Sequence, residues 1–430
     1  MRQMKKDLDQ RYREGRPLVV GVVGTGKMGG ALLSQLRVLP GIRPAVIVNR
    51  TPERALDALM RAGYEKDSWR MAENRKQAVT AFELGKMVVT GDYRLALDLP
   101  LEGIVDATGN PSLGAELAVQ TIDAHMDIIM LNVETDAVVG PILLEKANRE
   151  GVIYTGSAGD EPAAILELCS VVEGNGFRLL AVGKGKNNPL NRDATRADLA
   201  EEAASKGLRP EMLVGFVDGT NTMIELTSAG NALGFVPDVP GGYGERLTIA
   251  EMPEFYRTRQ DGGRLNGYGI VDYSFGIAPG VYAIATTDSP DVRAVMDYVS
   301  MGKGPNYAFH RPFHLTSLET PTSIYQAIVC REPSIAPEAG PYCDTVAVAK
   351  RDIKTGEALA GIGSDDVFGT IVTHKKQQDE NLLPIALITP GTVAARDIPK
   401  GTLLTAGCVT HGERMLIHAL REEQDRNFSI

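Results

Sequence analysis

Residues 18–29 read Leu18-Val-Val-Gly-Val-Val-Gly24-Thr-Gly26-Lys-Met-Gly29, a valine-rich run followed at once by a Gly-x-Gly-x-x-Gly turn. The run predicts a buried β-strand, and the apolar spacing after Gly29 predicts a helix. In such a unit Gly24 permits the tight turn, Gly26 lets backbone N–H groups approach a phosphate, and Gly29 lets the helix pack on its strand. The stretch therefore predicts a dinucleotide site with the pyrophosphate at the helix N-terminus. A purely structural glycine turn is the alternative.

The second predicted strand, residues 44–51, carries Asn49 and Arg50 where dinucleotide-binding units usually carry an acidic residue for the ribose 2′-hydroxyl. An amide there removes the charge that repels a 2′-phosphate, and Arg50 can donate two hydrogen bonds to that phosphate. NADPH is therefore the predicted cofactor, and a solvated arginine at a strand end is the alternative. The predicted cofactor-binding residues are Gly24, Thr25, Gly26, Lys27, Met28, Gly29, Asn49, Arg50, Thr108, Gly109 and Asn110.

Length and composition exclude several classes of protein. A chain of 430 residues, 43% hydrophobic, is expected to form two or three domains. Its apolar runs are too short for a membrane span, and the charged N-terminus lacks a signal-peptide core, so we expect a cytoplasmic protein. Four widely spaced cysteines predict free thiols. A formal charge of −10 argues against nucleic acid as a partner.

Predicted strands and helices alternate from residue 18 to residue 155. The alternation predicts an α/β fold in which residues 1–155 form a Rossmann domain with a doubly wound parallel sheet. Within it, residues 64–81 resemble a polar helical insertion, and a helix is predicted over residues 141–149. Residues 156–340 mix short strands, polar loops and Gly/Pro turns, which favours an α+β domain for substrate binding and oligomerisation.

An internal repeat follows a proline-rich segment. Residues 349–359 recur as residues 394–404, and both copies contain Arg-Asp-Ile-x-x-Gly-x-x-Leu. Two copies predict a pseudo-symmetric, mostly β domain over residues 341–430, in which the aspartates and glycines shape turns. Binding of a polyol or acid by Arg351 and Arg396 is the alternative to this structural interpretation.

With these features the chain resembles the homoserine-dehydrogenase-like NAD(P) oxidoreductases that carry a C-terminal SAF domain, and among them the enzymes related in activity to 1-deoxy-D-xylulose 5-phosphate reductoisomerase. The resemblance rests on the glycine turn, on the segment Asp106-Ala-Thr-Gly-Asn-Pro111 and on the repeat. It implies conversion of 1-deoxy-D-xylulose 5-phosphate to 2-C-methyl-D-erythritol 4-phosphate, a step of isoprenoid precursor synthesis.

Two other functions remain open, because a fold does not determine a reaction. The first is dehydrogenation of a small polyol, hydroxy acid or homoserine-like compound, and the second is a non-catalytic sensor of nicotinamide and sugar. The predicted partners are a small phosphorylated sugar as substrate and a second copy of the chain in a homodimer.

The densest cationic segment of this acidic chain, residues 181–193, follows a predicted strand. Lys184 and Lys186 are predicted catalytic residues that polarise a carbonyl or donate a proton during hydride transfer. The glycines beside Lys184 are expected to leave its ammonium free to reach a substrate. A solvated lysine loop is the alternative. The predicted substrate-binding residues of this segment are Asn187, Asn188 and Arg192.

Other candidates lie where predicted strands end, because ligands of open α/β sheets bind there. Asp160 precedes an apolar helix, so catalysis and a favourable charge at the helix N-terminus are equal alternatives, whereas for Glu161 the helix-terminal charge is favoured over catalysis. Glu134 is a predicted substrate-binding residue. A divalent metal, Mg²⁺ or Mn²⁺, held by Glu134 or Asp160 is left open.

The segment 301–314 combines a Gly-Lys-Gly turn with a histidine pair. His310 is a predicted catalytic acid, and Arg311 is predicted to bind a substrate phosphate. Because His310 and His314 are four residues apart, both are expected on one face of the element that carries them. Two structural histidines are the alternative.

Overall fold

The computed structural model describes residues 2–428, and its contacts divide the chain into two compact units. Unit 1 comprises the chain up to Asp160 together with Leu315–Ala336. Unit 2 comprises Glu161–His314 together with the chain from Pro337 onward. The domain boundaries expected at residues 155 and 340 concern separately folding domains and stay a prediction. The contacts place the segments before and after residue 340 in the same compact unit.

Unit 1 contains a parallel sheet that has seven strands within residues 2–428, in the order β3-β4-β2-β1-β5-β6-β7. Its strands are β1 (Leu18–Val23), β2 (Ile42–Val48), β3 (Trp69–Met71), β4 (Met87–Thr90), β5 (Gly103–Asp106), β6 (Asp127–Met130) and β7 (Tyr154–Gly156). Its helices are α1 (Arg2–Arg13), α2 (Lys27–Arg37), α3 (Pro52–Arg61), α4 (Arg75–Glu83), α5 (Arg94–Leu97), α6 (Pro111–Asp123), α7 (Val133–Glu150) and, later in the chain, α14 (Thr316–Tyr325). The predicted α/β class with a doubly wound sheet is confirmed.

The valine-rich stretch of β1 lies in the core of unit 1. Val20 and Val22 of β1 are fully buried together with Leu32, Leu33 and Leu36 of α2. Each such side chain stabilises the fold by about 1.5–3 kcal/mol on burial. The strand and the helix on either side of the glycine turn are therefore held rigidly against each other.

Two local predictions in unit 1 are wrong. The polar segment 64–81 is not simply a helical insertion, because it supplies the edge strand β3 before α4 begins. Helix α7 begins at Val133, eight residues before the predicted start at Pro141, since the Asn132 side chain accepts a hydrogen bond from Thr135 N and caps the helix. Glu134 therefore lies in the first helical turn and not in a loop after β6.

Unit 2 contains a four-stranded mixed sheet in the order β11-β10-β8-β9, in which β8 and β9 are parallel and the other pairs antiparallel. The strands of unit 2 are β8 (Arg178–Gly185), β9 (Ile270–Ser274), β10 (Val281–Thr286), β11 (Asn306–Arg311), β12 (Cys343–Ala349), β13 (Val367–Thr373), β14 (Val393–Ala394) and β15 (Val409–Thr410). Its helices are α8 (Glu161–Gly174), α9 (Ala200–Ser205), α10 (Pro210–Val217), α11 (Thr220–Leu233), α12 (Met252–Phe255), α13 (Pro290–Tyr298), α15 (His374–Asp379) and α16 (Leu416–Asn427).

Helices α8 and α11 carry the apolar residues that cover one face of this sheet. Ile165 and Cys169 of α8 and Met223 and Leu226 of α11 are buried in the same cluster as Val182 of β8. Polar side chains of these three elements are thereby brought together.

The sequence repeat forms a pseudo-symmetric pair of turns that exchange hydrogen bonds. Ile353 N donates to Ile398 O at 2.9 Å, and Ile398 N donates to Ile353 O at 2.8 Å. Asp352 accepts from Lys400 N at 2.8 Å, and the equivalent Asp397 accepts from Thr355 N at 2.9 Å. Each aspartate therefore stabilises the turn of the other copy, which confirms the structural interpretation of the repeat.

The equivalent arginines differ in their partners. Arg351 pairs with Glu357 at 2.7 Å and with Asp366 at 2.8 Å, whereas Arg396 donates to Cys408 Sγ. Throughout residues 2–428 the four cysteines are free thiols, as predicted. Over the same residues no helix combines the length and the apolar character that crossing a bilayer requires.

Candidate active site

The three glycines of the β1–α2 turn have different surroundings. Gly24 adopts a φ of +97°, and a Cβ there would lie 2.5 Å from Ala107 O. A Cβ on Gly29 would overlap the Gly24 carbonyl oxygen. A Cβ on Gly26 would meet no atom of the described chain within 4 Å. Gly24 and Gly29 are therefore required by the fold, whereas Gly26 faces open space beside the N-terminus of α2, where an anion can approach.

The second strand ends beside this turn. Asn49 Nδ2 donates to Thr25 Oγ1 at 2.6 Å, and Asn49 Oδ1 accepts from Thr51 N at 2.9 Å. Both polar atoms of this amide thus hold the loop, while the next residue, Arg50, is exposed. Lys27 is exposed on the first turn of α2, and Met28 lies against Ser317.

A polar network lies at the carboxyl ends of β5 and β6. The buried Asn132 donates through Nδ2 to Asp106 Oδ2 at 2.9 Å, to Thr108 Oγ1 at 3.2 Å and to Asn110 O at 3.0 Å. Burial raises the pKa of Asp106, and hydrogen bonds from Thr108 and Asn132 oppose this effect. A Cβ on Gly109 would meet nothing within 4 Å. The predicted residues Thr108, Gly109 and Asn110 therefore line an ordered turn on the sheet edge where Rossmann folds bind ligands.

Three ionisable side chains meet in unit 2, from the end of β8, from the start of α8 and from the second turn of α11. Lys184 Nζ donates to Glu161 Oε1 at 2.5 Å and also to Glu225 Oε2. All three residues are buried, with Lys184 only 6% exposed. Glu225 also accepts from Asn221 Nδ2, and His314 Nε2 lies 3.4 Å from Glu161 Oε1. We call Glu161, Lys184, Glu225 and His314 the lysine cluster.

The glycines beside Lys184 serve packing. A Cβ on Gly183 would overlap Asp272 O, and a Cβ on Gly185 would lie 2.5 Å from the Ala278 backbone. The expectation that these glycines leave the Lys184 ammonium free is wrong, because close strand neighbours require them and two carboxylates bind the ammonium. The alternative of a solvated lysine loop is wrong as well, since Lys184 and Lys186 are both buried.

Burial and neighbouring charges shift the pKa values of the ionisable groups in and beside the lysine cluster. Burial lowers the pKa of Lys184, but the charges of Glu161 and Glu225 outweigh it and raise that pKa above its usual value. Burial and the Glu161 charge raise the pKa of Glu225 to about 8. Burial and the Lys184 charge lower the pKa of Lys186 to about 8, and Lys186 Nζ donates to Phe216 O at 2.6 Å. In the absence of substrate Lys184 is therefore a cation.

The remaining loop residues are more accessible. Asn187 is exposed, and Asn188 and Arg192 are half-buried. The Arg192 guanidinium lies 4.8 Å from the centre of the Phe368 ring, and no carboxylate of the described chain forms an ion pair with it. Arg192 is thus a cation held in place by an aromatic ring, available for an anionic group.

The residues of segment 301–314 are separated by the structure. His310 lies in β11 with its Nε2 buried against Gly280, and burial lowers its pKa. Arg311 pairs with Glu167 at 2.6 Å. Strand β11 ends at Arg311, so His310 and His314 do not share one face, and that expectation is wrong. His314 belongs to the lysine cluster, and the catalytic role of His310 stays a prediction.

The surroundings of the acidic residues were the hardest to predict from the sequence. Glu161 is bonded to Lys184 and is more than a charge at a helix N-terminus. Asp160 directly precedes it in the chain, and its role stays a prediction. Glu134 is half-buried in the first turn of α7, where desolvation and the Asp106 charge raise its pKa. Glu225 was missed, although one signal was present: it is an acidic residue in the run Met223-Ile-Glu-Leu226, where the helical pattern demands burial.

Comparison with known proteins gives one family match. Residues 159–320 match the family model described as oxidoreductase DRL, catalytic domain, which is less than half of the chain. No match was found among curated proteins.

Several solved structures are similar at low identity. A probable dehydrogenase from Thermotoga maritima is 13% identical with a TM-score of 0.42, over 75% of this chain and 92% of that chain. A myo-inositol dehydrogenase from Corynebacterium glutamicum ATCC 13032 is 11% identical with a TM-score of 0.41, over 73% and 88%. A DOX-P reductoisomerase with fosmidomycin and magnesium is 12% identical with a TM-score of 0.40, over 74% and 70%. Likenesses this distant do not identify a reaction.

The family match and the geometry coincide in one region. All four residues of the lysine cluster lie inside the matched range, and unit 1 has the architecture of a nucleotide-binding sheet. The region from residue 159 to residue 320 is thus similar to the catalytic domain of an oxidoreductase, with a buried lysine and two glutamates at its centre.

Proposed function

We propose that this chain is an NAD(P)-dependent oxidoreductase that acts on a hydroxyl or carbonyl group of a small substrate bound at Lys184. The observation that carries the proposal is the burial of Lys184 between Glu161 and Glu225 within the matched oxidoreductase region. An ammonium held in this way is a preorganised positive charge, which is the main device for stabilising an oxyanion.

The residues of unit 1 suit a nicotinamide dinucleotide. The open face of Gly26 at the N-terminus of α2 suits the pyrophosphate, and exposed Arg50 suits a 2′-phosphate, which supports NADPH over NADH. When bound, such a cofactor supplies a hydride to a carbonyl carbon or removes one from an alcohol.

The chain's own residues handle the oxygen and its proton. Lys184 has three N–H donors, and two of them bind Glu161 and Glu225. The third donor is directed to the substrate oxygen, where negative charge develops as the carbon is reduced. Glu225 is the neighbour that exchanges a proton with Lys184, and Asn221 orients it through a hydrogen bond. Lys186 and Arg192 add positive charge for an anionic substrate group.

The second candidate reaction is the reductoisomerase conversion of 1-deoxy-D-xylulose 5-phosphate. The observation in its favour is charge: two buried glutamates face one lysine, so the cluster carries a net negative charge when both are ionised. Carboxylate oxygens of this kind suit Mg²⁺ or Mn²⁺, and Glu161 and Glu225 would hold the ion. Bound there, a divalent ion would supply positive charge to substrate oxygens. A phosphorylated sugar also fits the cations Lys186 and Arg192.

Product analysis separates these functions. The protein is incubated with NADPH or NADH and with 1-deoxy-D-xylulose 5-phosphate, homoserine, polyols and hydroxy acids, with Mg²⁺, Mn²⁺ or EDTA, and the reduced nicotinamide absorbance is followed. NMR of the product then shows a branched carbon chain for a reductoisomerase and an unbranched one for a dehydrogenase. Tight NADPH binding without turnover of any compound would instead support the non-catalytic sensor.

A variant of Lys184 tests the proposed role directly. Lys184→Met is expected to lower kcat by about 10²–10³, the usual loss for one oxyanion donor. Its affinity for NADPH is expected to stay within about twofold. Lys206→Met is the matched control, because that lysine directly follows α9, is exposed, and pairs only with the nearby Glu202 in the described chain. Wild-type kcat in Lys184→Met would refute the role.

A further inference from the structure

Helix α11, which carries Glu225, lies along the hairpin of β12 and β13. Thr227 Oγ1 is 2.8 Å from Thr345 Oγ1, and Asn231 Oδ1 accepts from the backbone N–H groups of Tyr342 and Cys343, both at 2.8 Å. We call residues 341–428 the C-terminal module. The second half of α11 is thus hydrogen-bonded to this module.

The start of α11 is held by the same module. Gly369 N of β13 donates to Thr220 Oγ1 at 2.8 Å. A Cβ on Gly369 would lie 2.6 Å from a Thr345 methyl and 3.0 Å from a Thr220 methyl, so helix and hairpin approach as closely as glycine allows. Asp218, just before the helix, accepts from Thr220 N at 2.9 Å. The module therefore fixes α11 at both ends, with Glu225 between them.

Lys350 links three separate segments at one point. Its Nζ lies 2.8 Å from Asp218 Oδ2 and donates to Ala194 O at 3.0 Å and to Ser364 O at 2.7 Å. The side chain is only 2% exposed. The ammonium thus forms an ion pair with the turn before α11 and donates hydrogen bonds to the loop after β8 and to the module itself.

The loop after β8 has further ties to the module. Arg196 donates to both carboxylate oxygens of Asp365, and Lys400 lies 2.9 Å from Asp193. Arg192 of this loop stacks on Phe368 of β13. The C-terminal module therefore holds both the predicted substrate loop and α11, the helix that carries Glu225. Lys350 contacts the loop at Ala194 and the turn before α11 at Asp218.

We propose that the C-terminal module is a positioning element of the active site, and that Lys350 is a positioning residue that fixes α11 and the loop 187–199 relative to Lys184. This inference rests on the proposed function, because it treats the lysine cluster as the reacting site. The sequence repeat then has a role within catalysis, as the scaffold that presents Lys350, and it needs no ligand of its own.

The test compares Lys350→Met with the double variant Asp218→Asn/Lys350→Met. The single change leaves the Asp218 carboxylate buried without its cation, which can prevent folding, and the double change removes both charges. Lys354→Met is the control, since Lys354 belongs to the same module and is exposed. Amide hydrogen exchange of the full chain is measured without substrate, and kcat, KM and NADPH affinity are measured on whichever substrate proves active.

In the double variant we expect amide exchange in residues 187–199 and at the start of α11 to rise at least tenfold, with β10 unchanged. We expect kcat to fall at least tenfold, while NADPH affinity stays within twofold. Exchange and kcat within twofold of wild type in a folded double variant would overturn the proposal. So would faster exchange of β10 to the same degree, because that marks general destabilisation. The exchange data decide this whether or not the proposed reaction is found.

Discussion

The three glycines after β1 permit a matched test of nucleotide binding. Alanine at Gly26 would place its methyl group in open space, and the Gly26 φ of −68° suits any L-residue. We therefore expect Gly26→Ala to leave the free energy of unfolding within about 0.5 kcal/mol of wild type. Because the methyl occupies the face where the phosphates approach, NADPH should bind at least about tenfold more weakly, a loss of roughly 1.4 kcal/mol.

Two neighbouring glycines serve as opposite controls. A Cβ at Gly29 overlaps the Gly24 carbonyl oxygen, so α2 must move away from β1, and Gly29→Ala should cost about 3 kcal/mol of unfolding free energy. A Cβ at Gly30 finds its nearest neighbour, Thr25 O, at 3.9 Å. Gly30→Ala should therefore stabilise the helix by up to about 1 kcal/mol and leave NADPH binding unchanged.

Calorimetric titration with NADPH and urea unfolding supply the two readouts for all three variants. The reasoning is refuted if Gly26→Ala binds NADPH as tightly as wild type, because the turn would then be a structural feature with no phosphate beside it. It is also refuted if Gly29→Ala is as stable as wild type, because the close approach of α2 to β1 would then be wrong.

Two further predictions concern cofactor choice and pH. Arg50→Ala should reduce the preference for NADPH over NADH by about ten- to a hundredfold, since it removes a charge-assisted contact that contributes about 1.5–3 kcal/mol. The ratio of the two dissociation constants measures this preference, and an unchanged ratio would show that Arg50 is only a solvated residue. Burial raises the pKa of Asp272 to about 6. Between about pH 4 and pH 6 the folded chain then binds more protons than the unfolded chain, so the free energy of unfolding should fall by about 2 kcal/mol as the pH rises through that window. Asp272→Asn should lose this slope in urea unfolding at pH 4.5, 5.5 and 7, and an equally steep slope in the variant would contradict the assignment.

The nucleotide-binding half of the molecule could be predicted from sequence because its signals are local. The valine run, the glycine spacing and the apolar helix pattern lie within about twenty residues, and each demands its own backbone conformation. Errors there arose where a local signal was ambiguous. Pro141 is usual in a first helical turn, but the Asn132 cap starts α7 earlier and the proline lies inside the helix.

The lysine cluster could be predicted only in part. Lys184 and Lys186 stood out because they lie in the densest cationic segment of an acidic chain, yet their burial could not be predicted from the sequence. Glu225 is 41 residues from Lys184 and His314 is 153 residues from Glu161, as the numbering shows, and no periodic pattern links such positions. The expectation that His310 and His314 share one face was wrong because β11 ends at Arg311, directly before Pro312 and short of His314.

The sequence by itself determined the parallel sheet, the glycine turn and the paired turns of the repeat, because short-range sterics and apolar periodicity decide them. Tertiary structure alone decided which charges meet. Lys184 is a cation between two glutamates only because α8 and α11 pack on one face of the sheet and bring three distant chain segments within hydrogen-bond distance. The burial of that contact, together with the charges in it, then sets the pKa values of Lys184 and Glu225.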